Sequence, residues 1–210
     1  MSKTEVLRIS SSEDKTSEVV SLADSFIVQE GYSGKEAIHL RLLAEETVGM
    51  VKALTGFYIA DFWMEQENGS CKVCLQARTN MDKEKKSEML ALSSSGKNAS
   101  AKGFMGKIGE IIENGLLNFD GIMKMHQDYG TGYIDYVGMG VGVPNEYPGV
   151  MESMVWSLSD YKTSLGNSFD LKEHAKAAWD ELEKSIVASI AKDVIVGVKK
   201  DIVDLTIIAW

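Results

Sequence analysis

Apolar residues recur along "AIHLRLLAEETVGMVKALTG" (37–56) at the spacing of an α-helix. At about 100° per residue, Leu40, Leu43, Ala44, Thr47, Val51 and Leu54 fall on one face and form a core stripe. Glu45 falls on the far side, in line with Ile38, Leu42 and Gly49. That second line is also partly apolar, and a helix apolar on two sides is usually covered on both. The spacing therefore predicts that Glu45 lies under another element, a partner or a ligand. The plainer alternative is a solvated glutamate paired with Arg41 one turn earlier, worth about a few tenths of a kcal/mol.

The rest of the chain alternates between strand and helix patterns. "EVLRIS" (5–10) reads as a strand. A Ser-rich stretch then leads into a helix over 14–30, with Val19, Val20, Leu22, Ala23, Phe26 and Ile27 at helical spacing and Gly31 as its stop. Ser33 followed by Glu36 forms a capping-box pattern at the start of the next helix. "FYIADFWMEQENGSCKVCLQART" (57–79) predicts two strands around a turn at Asn68-Gly69. Residues 80–103 are charged, then rich in Ser, Gly, Asn and Ala, which predicts a mobile loop with one short helix near Glu84–Leu92. Helical spacing returns over 104–119. A Gly-rich region (128–149) follows, within which "GMGVGVP" (138–144) reads as a flexible loop rather than a P-loop. "MESMVWSLSDYKT" (151–163) reads as a strand and 167–191 as one long helix. The chain closes with a hairpin turning near Lys199-Lys200-Asp201. Paired strands mixed with helices predict an α/β fold: a two-layer sandwich, with a mixed, mostly antiparallel sheet and helices on one face.

Bulk properties narrow the function class. The 210 residues suffice for one large core. A net charge of −9 argues against nucleic-acid or anionic-membrane binding, both of which need clustered cations. No apolar run reaches the roughly 20 residues of a membrane span, and "MSKTEVLRISSSEDK" lacks a signal-peptide core. The expected location is the cytoplasm. Cys71 and Cys74 form C-x-x-C inside a strand pattern, where residues three apart point to opposite faces. His39, His126 and His174 are scattered, so the cysteines read as reduced structural thiols rather than metal ligands. Lys83, Lys85 and Lys86 read as a solvated helix face, with a phosphate contact as the functional alternative.

The layout of 5–118, together with the strand near 154–162, resembles the GHKL (histidine-kinase-like) ATPase fold, and within it the bacterial anti-sigma-factor serine kinases. "LAEETVGMV" stands where that family carries its Glu/Asn helix, and "KGFMGKIGEII" where it carries a Gly-rich phosphate turn. The resemblance implies that Glu45 is the water-activating carboxylate and that Gly49 takes the place of the magnesium-binding asparagine. It also implies that Gly103, Gly106 and Gly109 line the phosphate turn. Asp82, or Asn80 as a substitute, would stand for the adenine-reading aspartate, with 80–103 as the lid. Gly49 has no side chain to hold Mg²⁺, and "RTNMDKE" lacks the family's Asp-x-Gly.

The resemblance implies a cytosolic bacterial regulatory protein that binds ATP or ADP and holds a sigma-factor-type or other regulatory protein. It implies a serine kinase activity impaired by the missing ligands, and it leaves a homodimer open. The family core would span 1–167, with 168–210 as an α-β-β appendage packed on or extending the sheet. The competing expectations are a non-catalytic interaction or scaffold protein that has lost the nucleotide, and an enzyme of another class using the Gly-rich region. The bland reading of Gly103, Gly106 and Gly109 is close packing at a helix entry.

Overall fold

The structure, a computed structural model, describes residues 1–54, 58–79, 108, 141–142, 154–167, 179–180, 182–199 and 201–210. The strands are β1 (Ser2–Lys3), β2 (Leu7–Ser10), β3 (Tyr58–Glu67), β4 (Ser70–Thr79), β5 (Val141–Gly142), β6 (Met154–Ser157), β7 (Asp193–Lys199) and β8 (Ile202–Ile208). The helices are α1 (Thr16–Glu30), α2 (Gly34–Leu54), α3 (Leu158–Asn167) and α4 (Ile186–Ile190). The class is α/β, with an open sheet in the order β1-β3-β4-β8-β7-β6-β5 and β2 also paired to β3. Every pairing between described strands is antiparallel. The C-terminal hairpin lies between β4 and β6, so residues from 193 onward supply central strands of the sheet.

Register builds the core. Leu7, Phe62, Leu75, Leu205, Val196 and Trp156 stand opposite one another from β2 across to β6. Directly paired residues share a face, and all of these are buried except the half-buried Leu7. Met64, Val73, Ile207 and Val194 form a parallel row on the same face. α1 brings Val19, Ala23, Phe26 and Ile27 to this core, and α2 brings Leu40, Leu43, Ala44, Val48 and Val51. Burying each large apolar side chain contributes about 1.5–3 kcal/mol relative to exposure. The intervening residues carry the polar pattern of a second face: Arg8 opposite Asp61, Glu65 opposite Lys72, and Gln76 opposite Asp204.

Local signals account for several boundaries. Gly31 takes φ 76°, its N–H bonds to the Val28 carbonyl at 3.2 Å, and the Tyr32 N–H bonds to the Ile27 carbonyl at 3.0 Å. These are the paired bonds of a Schellman stop. Asn68 (φ 51°) and Gly69 (φ 79°) form the two-residue turn between β3 and β4, and both need the left-handed region that a hairpin turn of this hand requires.

Three expectations are corrected. The strand expected over 151–163 ends at Ser157, and helix α3 begins at Leu158. The Ser157 hydroxyl accepts the Asp160 N–H at 3.1 Å, which caps the new helix. The helix expected to run unbroken to 191 is interrupted at Ser185, whose backbone is extended (φ −82°, ψ 124°) and whose hydroxyl accepts the Ala188 N–H at 3.2 Å. Finally, Val141–Gly142, inside the stretch expected to be a loop, pairs with Val155 and Trp156 of β6.

Candidate functional site

The candidate site begins with α2, because that helix carries Glu45 and Gly49. Its inner stripe is sealed: Leu40, Leu43, Ala44 and Thr47 have no exposed surface. Thr47 is a polar residue in this apolar layer, and its hydroxyl donates to the Leu43 carbonyl at 2.6 Å, so it is buried without loss of a hydrogen bond. α1 lies alongside α2, and Arg41 pairs with Asp24 across the two helices. Arg41 is thus engaged with α1, not with Glu45 as the solvated-pair alternative supposed.

The outward strip of α2 differs from what its apolar content suggested. Glu45 and Gly49 are exposed, Leu42 is half-buried, and Ile38 is 60% exposed. A Cβ added at Gly49 would meet nothing within 4 Å. Among the described residues, no element covers Glu45. Two apolar residues are too few to draw a second layer onto the helix, and single exposed apolar residues are ordinary on protein surfaces. An exposed carboxylate one turn from an exposed glycine leaves a shallow, open stretch of helix surface. Such a stretch can accept hydrogen bonds from a ligand or partner, and the missing side chain permits close backbone approach.

The remaining residues of the expected site, Asn80, Asp82, Gly103, Gly106 and Gly109, lie outside the described residues, as does the expected lid over 80–103. From the helix expected over 104–118 only Ile108 is described, and it is buried in the core. The structure thus brings Glu45 and Gly49 together on one exposed face and is silent on the others.

The two cysteines are reduced and buried. Cys71 pairs with Gln66 and Cys74 with Trp63 across β3–β4, which sends them to opposite faces of the sheet. Burial pushes both thiols up to about 12. Cys74 sits beneath a small polar cover: the Trp63 Nε1–H donates to Glu65 at 3.1 Å, and the Lys3 ammonium lies 4.4 Å from the centre of the Trp63 ring. Among the described residues no group of three or more His, Cys, Asp or Glu side chains could hold a metal ion.

The sheet face turned away from the helices was not singled out from sequence. On its β2–β4 side it carries charged pairs. Arg8 donates to both oxygens of Asp61 at 2.8 and 3.0 Å, and Lys72 lies 3.6 Å from Glu65 and 3.5 Å from Glu67. The signal for it was present as charges on one phase of the β3 pattern, at Asp61, Glu65 and Glu67. Among the described residues no helix is long and apolar enough to cross a membrane. No protein-family model matches the chain, and neither does any curated protein or solved structure.

Proposed function

We propose that this protein is a cytoplasmic regulatory protein of the histidine-kinase-like ATPase kind, resembling the bacterial anti-sigma-factor serine kinases, in which the outward face of α2 meets an adenine nucleotide. A protein partner of the sigma-factor or regulator type is held by the nucleotide-bound form. Catalysis is impaired, because no side chain at Gly49 can hold Mg²⁺. The observation that carries this reading is the pairing of Glu45 and Gly49 on one exposed face of a helix whose opposite face is sealed against the sheet. A carboxylate in that position can orient water towards a bound phosphate, provided the face stays open to the ligand. The order of two helices followed by an antiparallel hairpin supports the same reading.

Titration calorimetry with ATP and ADP, with and without Mg²⁺, tests it. Weak binding with little dependence on Mg²⁺ is the expected result. Absence of binding by both nucleotides would overturn it. The second reading, a non-catalytic interaction protein that has lost the nucleotide, would then stand. That reading draws on the same strip, where Ile38 is 60% exposed about three turns before an open glycine.

A further inference from the structure

We draw no further inference here: the strongest candidate, the half-exposed apolar patch of Val155, Ile195, Ile202 and Ile208 on the sheet face turned away from the helices, carries nothing because the structure does not show what covers it.

Discussion

Tyr32 and Trp210 meet edge to face, with ring centroids 5.1 Å apart and planes at 70°. Tyr32 lies in the short link between α1 and α2, and its ring also faces Phe26 of α1 at 6.5 Å. Trp210 follows β8, and its carbonyl accepts the Ser70 hydroxyl at 2.9 Å. The neighbouring Ala209 N–H bonds to the Cys71 carbonyl at 2.9 Å. The pair therefore ties the helical layer to the turn end of β4 through residues far apart in sequence. Truncating an aromatic residue in a core costs about 3–5 kcal/mol, and Trp210 is half-buried, so Trp210→Ala is expected to cost about 2–3 kcal/mol. Urea denaturation followed by circular dichroism measures it, and an unchanged midpoint would show that the ring contact contributes nothing.

The hairpin turn gives a more local prediction. Gly69 adopts φ 79°, and its Cβ position is open. Gly69→Ala is therefore penalised by backbone conformation alone, by about 1–2 kcal/mol. A denaturation midpoint at or above that of the unmodified protein would mean that the turn relaxes to another type.

These two cases show what could be read from sequence and what could not. The Asn68-Gly69 turn and the Gly31 stop depend on the φ values of one or two residues, so the residue types alone announce them. The Tyr32–Trp210 contact depends on β8 pairing with β4, and nothing local specifies that pairing. The end of β6 was legible but missed. Trp156, Ser157, Leu158 and Ser159 alternate apolar and polar across the boundary, which masks the helix-start signal of Ser157 three residues before Asp160. Ser185 was missed because Leu182 and Ile186 keep helical spacing across the break. On α2 the 100° projection placed Glu45 and Gly49 on one face correctly. It could not decide whether that face is covered, because cover depends on the rest of the fold.

The cysteines should be inert in the native protein. A thiol reacts as thiolate, and burial holds both Cys71 and Cys74 near 12, far above neutral pH. Labelling with an aromatic disulfide reagent at neutral pH is expected to be negligible in the folded state and complete for both cysteines in guanidinium. Rapid labelling of a single thiol without denaturant would show that the sheet face carrying it opens to solvent.

The Arg8–Asp61 pair sets an acid dependence. The hydrogen bond from Arg8 holds the Asp61 carboxyl below its ordinary value. A carboxylate with a depressed folded pKa stabilises above its unfolded value, about 3.9, and loses that contribution as pH falls through the folded value. Asp61→Asn should therefore lower stability at neutral pH, and the difference from the unmodified protein should shrink below about pH 4. The pair is largely exposed, so added salt should also reduce the difference. A difference that stays constant from neutral to acid pH would locate the effect of the substitution elsewhere than in the charge.

Gly49 offers the sharpest test of the nucleotide reading. It lies inside a long helix, where glycine is about 1 kcal/mol less favourable than alanine, and its Cβ position is open. Gly49→Ala should therefore stabilise the protein by about 0.5–1 kcal/mol. That result alone fits any function. Gly49→Asn also adds a Cβ into open space, without a helix penalty beyond that of glycine. It supplies the amide that the anti-sigma-kinase resemblance requires one turn from Glu45. If the strip is a degenerate nucleotide face, Gly49→Asn should make ATP binding depend on Mg²⁺ and tighten it about tenfold, roughly the contribution of one hydrogen bond to a charged group. Gly49→Ala should leave the Mg²⁺ dependence as it was. The comparison separates metal coordination from helix stabilisation, since both variants stiffen α2 and only one adds a ligand. A folded Gly49→Asn protein whose ATP binding is unaffected by Mg²⁺ would show that no metal–phosphate group sits over this face, leaving the strip as a surface for a protein partner.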